Sequence, residues 1–352
     1  MSSFKSLVFL RRILASIFLR HNTYKSAATI FLPIAAMFAL SGCAGLQLKL
    51  GMKVNLEKIP IASIQASQPN GAGIAPGDKS PLVVTIIEPD GKTLVTEGKG
   101  KGKVRWQDLT VASTVASATK KGVLTLPRDP RISDGQLPHV TVTVPSHPDV
   151  RAELDVPLRY DRNYKASFSS ASGSSGWDGT DGSDGSSGSS GSLDPDHPSP
   201  GGDGGSGGSG TDGTDGGPGD DGPPVRVLVA LRSGNPGPLL QVSVSSGRTE
   251  DLFLVDPQGG SLTVTSSGGA GGSGGRGGRG GRGGSGGIGS PNGSDGSNGS
   301  DGRSGFTGSS GKGGPIFVTY DPRAKSYLEA IQLRNPGGPS PIVKEAPVGP
   351  LW

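Results

Sequence analysis

Residues 268–314 read GGAGGSGGRGGRGGRGGSGGIGSPNGSDGSNGSDGRSGFTGSSGKGG, and the fold turns on this stretch. Glycine stands at every third position over 268–289. After a one-residue slip at Ser290-Pro291-Asn292, the same period runs over 293–314. A backbone with three residues per turn places such glycines along one edge, and at ~3.1 Å per residue each run extends roughly 65 Å. Many triplets of the first run hold two glycines, as in Gly274-Gly275-Arg276 and Gly277-Gly278-Arg279. Two of three edges are then bare, so neighbouring backbones can touch and exchange N–H···O=C bonds. The runs are equal in length and joined by a Pro-Asn turn signal, which predicts an outgoing and a returning leg.

The same period occurs earlier, at Gly173, Gly176, Gly179, Gly182, Gly185, Gly188 and Gly191 and then over 201–222, with 193–200 as the equivalent turn. Four legs are therefore available to pack together. The whole chain of 352 residues carries 63 Gly, 29 Pro and only 32% hydrophobic residues, poor material for one large core. The expected fold class is all-β with long glycine-rich tracts. Candidate strands at 61–66, 82–88, 93–97, 104–107, 110–116, 123–126, 139–144 and 152–158 alternate apolar and polar residues between turn signals such as Pro89-Asp90-Gly91. Their spacing resembles an immunoglobulin-like β-sandwich in pattern, without the cysteine pair of antibody domains. Further strands follow from Val225 to Thr265 and from Ile316 to Leu333, with 262–265 expected to pair with 316–320. The expected organisation is a leader at 1–42, a tether at 43–59, a β-sandwich at 60–164, a tract at 165–224, and a second β-rich domain at 225–352 with 268–314 inserted.

The tracts resemble collagen Gly-X-Y repeats and bacterial collagen-like surface proteins. Collagen, however, needs roughly 15–20% Pro or hydroxyproline, whereas these tracts are mainly Gly, Ser, Asp, Thr and Asn. They are also similar to the polyglycine-II bundles of a glycine-rich antifreeze protein and of some phage adhesin tips; a disordered Gly/Ser linker is the alternative. Asp178, Asp181 and Asp184 occupy the third position of their triplets, as do Arg276, Arg279 and Arg282. Each set makes a ridge with ~9.3 Å spacing. An Asp ridge facing an Arg ridge is expected to select partner and register, each exposed pair contributing only about 0–1 kcal/mol.

The N-terminal region has a separate logic. Residues 27–40, AATIFLPIAAMFAL, are uncharged and apolar, preceded by Arg20 and Lys25 and followed by small residues and the single cysteine. Length and flanks are those of a signal-peptide apolar region. Leu40-Ser41-Gly42-Cys43 resembles the bacterial lipobox. That resemblance implies cleavage before Cys43, lipidation of its thiol and membrane attachment through several acyl chains, which bind stably where one is marginal. Ala44 at the next position implies the outer membrane of a Gram-negative cell. Cleavage removes Lys5, Arg11, Arg12, Arg20 and Lys25, taking 34 basic residues to 29 against 30 acidic ones. The remaining chain is nearly neutral, so no polyanionic partner follows from its charge.

Other chemistry is weakly signalled. Calcium needs ligand oxygens 2.3–2.6 Å from one ion, as a rule, and aspartates along one edge of an extended leg are too far apart to share it. Arg276-Gly-Gly-Arg279-Gly-Gly-Arg282 looks like a nucleic-acid segment but lacks interleaved aromatics, and export places it away from intracellular RNA. His139, His147 and His197 belong to no recognisable triad or metal cluster, and Gly271–Gly275 matches a nucleophile-elbow pattern only through low complexity. The expectation is a non-enzymatic, lipid-anchored envelope protein without cofactor. Its partners would be the membrane, a protein or glycan surface, and other copies through the tracts, with no nucleic acid. The alternative is a carbohydrate- or protein-binding module spaced by the tracts.

Overall fold

The computed structural model describes residue 48, residues 50–233 and residues 237–352. The described residues are built of strands with only short helical turns among them, an all-β fold. They divide into two compact units. One draws on the described residues up to Gly71, Ser80–Leu124 and His139–Asp155, and the other on Ala72–Lys79, Thr125–Pro138 and the described residues from Val156 to Trp352. The chain thus crosses between units more often than a single division near residue 164 would allow.

The first unit contains β1 (Ser63–Ser67), β2 (Lys79–Pro81), β3 (Val83–Ile87), β4 (Thr93–Val95), β5 (Thr110–Ser113), β6 (Ser117–Ala118), β7 (Val123–Thr125), β8 (His139–Val144) and β9 (His147–Asp155). They form three-stranded sheets in the orders β1-β3-β4, β5-β8-β9 and β2-β7-β6. Alternation decides the faces: Val84 and Ile86 of β3 and Val140, Val142 and Val144 of β8 are buried, and their neighbours are not. The strand expected at 104–107 is instead a bridge at Val104 followed by a helical turn at Trp106–Asp108. The Arg105 guanidinium reaches both Asp108 oxygens at 2.8 and 2.9 Å, closing that turn.

The second unit holds β10 (Asn163–Ser169), β11 (Val225–Arg232), β12 (Leu239–Ser246), β13 (Thr249–Val255), β14 (Ser261–Ser267), β15 (Ile316–Tyr320), β16 (Ile331–Arg334) and β17 (Ile342–Glu345). Five strands lie in the order β13-β12-β11-β15-β17 and three in the order β10-β14-β16. One cluster takes side chains from both sheets, with Val227, Val229, Val242, Phe253 and Val318 from the larger and Ala166, Leu262 and Val264 from the smaller. On the other side of β12 and β13, Leu239 and Leu254 join Tyr160, with Trp352 packed against them.

Two expectations change here. Residues 163–169 belong to a strand, not to the tract expected from 165, because Ala166 faces the core with Tyr164 and Phe168 packed beside it. β14 does not pair with β15. It lies parallel to β10 and β16, while β15 lies parallel to β11 and β17. A chain that leaves one sheet along one leg and returns along another need not come back beside its own point of departure.

Candidate functional site

β10 and β14 run out of the three-stranded sheet into legs 1 (171–192) and 3 (268–289), and legs 2 (201–222) and 4 (293–314) return into β11 and β15. The strand registers continue into the legs. β10 pairs with β14 through Ser169↔Ser267, and the next bonds are Ser170 N–H to Ser267 O at 3.3 Å and Gly173 N–H to Ala270 O at 2.8 Å. Likewise Val225↔Ile316 in β11/β15 is prefigured by Gly222 N–H to Lys312 O at 2.7 Å. The sheets therefore set the alignment of the legs.

Five ladders join the four legs, each with a bond at every third residue. Leg 1 donates to leg 3, as in Gly179 N–H to Arg276 O (2.7 Å), and leg 2 donates to leg 4, as in Gly210 N–H to Ser300 O (2.9 Å); both pairs are parallel. Leg 2 also donates to leg 1, leg 3 to leg 2 and leg 4 to leg 3. Thr211 N–H to Thr180 O (2.9 Å), Gly278 N–H to Thr211 O (2.9 Å) and Gly302 N–H to Gly278 O (2.8 Å) represent these antiparallel ladders. Legs 2 and 3 have three neighbours each and legs 1 and 4 have two. The doubled glycines of leg 3 suit the crowded place, and Gly269, Gly272, Gly275 and Gly278 in its second triplet position are buried. None of the tract glycines adopts the left-handed region, so they are required for space rather than for conformation.

Side chains complete these contacts in the opposite direction. Asp178, Asp181 and Asp184 accept through Oδ1 from the backbone N–H of Arg276, Arg279 and Arg282 at 2.7, 2.7 and 2.8 Å. The acidic and basic residues are thus brought together, but the carboxylates reach the arginine backbone rather than forming the expected guanidinium ridge pairs. The same device recurs from leg 2 to leg 4, where Asp203, Asp212, Asp215 and Asp221 accept from Ser294, Arg303, Phe306 and Lys312. From leg 4 to leg 3, Asp295, Asn298 and Asp301 accept from Gly286, Gly283 and Gly280. Thr211 and Thr214 do so for Thr180 and Trp177. The sequence signal for these caps is an Asp, Asn, Ser or Thr at a fixed place in the triplet; the partner becomes visible only with the leg order.

No family model and no curated protein matches the chain.

Both turns stand at the distal end of the bundle. Ser290 N–H donates to Ser199 O (2.9 Å), Gly201 N–H to Pro291 O (3.0 Å) and Gly191 N–H to Ile288 O (2.7 Å), which lock them side by side; the Ser290–Pro291 peptide is cis. Leu193 and Ile288 remain 65% and 61% exposed there, and Asp194, Asp196 and His197 share the tip. Trp177 and Phe306, at 82% and 78%, project from legs 1 and 4. Elsewhere, His139 Nδ1 lies 2.7 Å from Asp155 and His147 Nδ1 lies 3.0 Å from the Ser146 hydroxyl. Among the described residues no cluster of three His, Cys, Asp or Glu could hold a metal, and no helix is long and apolar enough to cross a membrane. Leu40, Ser41, Gly42 and Cys43 lie outside the described residues.

Proposed function

We propose that this chain is a non-enzymatic, lipid-anchored envelope protein that holds a stiff glycine bundle of polyglycine-II type outward from a β-scaffold for structural or adhesive contact. The observation that carries this reading is the bundle, in which backbone ladders replace an apolar core. Cross-linked at every third residue and continuous with two sheets, four legs bend far less than a Gly/Ser linker of the same composition. Such a device transmits contact at a distance of roughly 65 Å, at ~3.1 Å per residue. Its tip presents two apolar side chains, two carboxylates and a histidine to a protein or glycan surface. The sides, which carry the exposed Trp177 and Phe306 among polar residues, allow self-association through the tracts, and nucleic acid is not a partner. Leu40-Ser41-Gly42-Cys43 supports lipidation at Cys43, and Ala44 after it supports placement in the outer membrane. The two antiparallel sheets β1-β3-β4 and β5-β8-β9 support an immunoglobulin-like sandwich for the first unit.

The reading is tested in cells. Wild-type protein is expected to incorporate labelled palmitate and to fractionate with membranes, and Cys43→Ala to do neither; normal labelling and processing of the variant overturns the anchor. Leu193→Ser together with Ile288→Ser is expected to reduce surface attachment several-fold while the bundle stays folded, and unchanged attachment overturns the contact role. A second reading, in which the β-units bind ligand and the legs act as spacers, is favoured by a cleft beside β10.

A further inference from the structure

The four legs hold two aromatic residues between them, Trp177 in leg 1 and Phe306 in leg 4, far apart in sequence. The fold brings both to one level of the bundle. Trp177 N–H donates to Thr214 Oγ1 at 2.7 Å, and Trp177 O accepts from Thr214 N–H at 2.9 Å. On the other side of leg 2, Phe306 N–H donates to Asp215 Oδ1 at 2.7 Å, and Phe306 O accepts from Gly216 N–H at 2.9 Å. Trp177, Thr214, Asp215 and Phe306 therefore make one transverse row. Hydrogen-bonded extended backbones lie about 4.7–4.9 Å apart, so the two aromatic roots stand within about 10 Å of each other across leg 2.

Both rings belong to one face. Trp177 and Phe306 occupy the second position of their triplets, and in each leg that position opens toward leg 2. Thr180 Oγ1 lies 3.1 Å from Thr211 Oγ1, and Ser300 Oγ lies 3.0 Å from Ser209 Oγ. At 82% and 78% exposure the rings contribute little to a fold that ladders hold together, and large exposed apolar groups are informative where they are brought together.

Between the rings the row alternates what it offers. Thr214 Oγ1 accepts the Trp177 N–H, which leaves its own O–H to donate; Asp215 Oδ1 accepts the Phe306 N–H, which leaves Oδ2 to accept. The order is ring, donor, acceptor, ring, with every backbone fixed by a ladder. A pyranose has the matching chemistry, an apolar C–H face to lie on an aromatic ring and hydroxyls that both donate and accept. Charge narrows the ligand further. Residues 171–222 and 268–314 carry 12 Asp against four Arg and one Lys, a net charge of −7. A polyanion is repelled, and a second copy docking row against row would set Asp215 against its own counterpart. Copies that associate do not meet through this row.

We propose that this row binds a neutral glycan chain, with pyranose rings stacked on Trp177 and Phe306 and hydroxyl groups bonded to Thr214 and Asp215. The site deepens the contact role of the projection and rests on that reading, since it exists only while the bundle is folded, but it does not depend on the lipid anchor.

The test is titration calorimetry on the full mature chain with cellohexaose and chitohexaose, against glucose as a single ring and hexagalacturonate as an anionic chain. At least one neutral hexasaccharide is expected to bind saturably and about tenfold or more tighter than either comparator. Trp177→Ala and Phe306→Ala should each weaken that binding about tenfold, while Trp177→Phe, which keeps a ring, should lose less than the alanine variant. Because both side chains are exposed, these variants should melt with wild type. Absence of saturable binding, equal binding of hexagalacturonate, or binding unchanged in both alanine variants overturns the proposal. So does a wild-type dimer that dissociates in the alanine variants, which would give the row to a second copy. Amide exchange of Gly275 and Gly278 in the same samples distinguishes the two failures: protection without glycan binding overturns the glycan row alone, and loss of protection overturns the bundle with it.

Discussion

Alanine at Gly278 and alanine at Gly208 should have opposite consequences, although both replace one tract glycine with the smallest side chain. A Cβ at Gly278 would coincide with the carbonyl of Thr180 in leg 1, a backbone atom with no room to move. Legs 1 and 3 must then part locally, losing the bonds from Gly179 N–H to Arg276 O and from Arg279 N–H to Asp181 Oδ1, both 2.7 Å. Two such bonds are worth about 1 kcal/mol each, and the overpacking adds about 1–3 kcal/mol. The sum, roughly 3–5 kcal/mol, should lower the melting temperature of a unit of this size by about 10 °C. At Gly208 the new Cβ would lie 3.1 Å from the Ser183 hydroxyl and 3.2 Å from Ser183 N, at a surface where the hydroxyl can rotate away. Thr211 and Thr214 already carry side chains at this triplet position of leg 2. Alanine also reduces the freedom of the unfolded chain, worth about 0.4–1 kcal/mol, so Gly208→Ala should stay within about 1 kcal/mol of wild type. Differential scanning calorimetry on the full chain reads both. Equal shifts for the two variants would refute the packing derived from the leg order.

Other expectations separate the remaining contacts. Asp181→Asn keeps the acceptor for Arg279 N–H and should leave stability nearly unchanged, whereas Asp181→Ala should cost about 1 kcal/mol, as loss of a side-chain cap does; a salt-sensitive loss in the Asn variant would instead indicate ion pairing, read by melting at two ionic strengths. Deleting 277–279 alone should abolish exchange protection in the distal bundle, while removing one triplet from each of the four legs should preserve it. In the first unit, burial raises the Glu97 carboxyl pKa, but Lys53 at 2.7 Å, the Trp106 N–H and Arg105 together outweigh it and leave the pKa lowered. A lowered folded pKa contributes stability that is present above the unfolded value and disappears as pH falls through the folded one. Wild type should therefore lose more stability than Glu97→Gln on acidification below the ordinary glutamate range, and parallel pH profiles would contradict this.

The local features were legible in the sequence because they depend on period. The glycine at every third residue, the equal legs, the Pro-Asn turn and the alternation of VTVTV in β8 each state which edge or face is bare. What was not legible depends on neighbours far along the chain. Asp178 and Arg276 stand 98 residues apart, and only the β10/β14 register brings them together, with the carboxylate reaching an N–H rather than a guanidinium. The β14/β15 pairing expected across the insertion failed for the same reason, since parallel pairing with a distant strand leaves no local signature. The cleft beside β10 and β13 draws Arg128, Arg162 and Phe253 from three separated segments. Nothing in the spacing of those residues joins them.

Amide hydrogen exchange resolved along the legs tests the bundle most directly. Gly269, Gly272, Gly275, Gly278, Gly281, Gly284 and Gly287 donate to leg 2 carbonyls from buried positions. The amides of Asp203, Ser206 and Asp212 have no protein acceptor among the described residues. Slow exchange for the first set and fast exchange for the second, repeating with a period of three, is the predicted result. Uniform exchange of all tract amides within the dead time would contradict it.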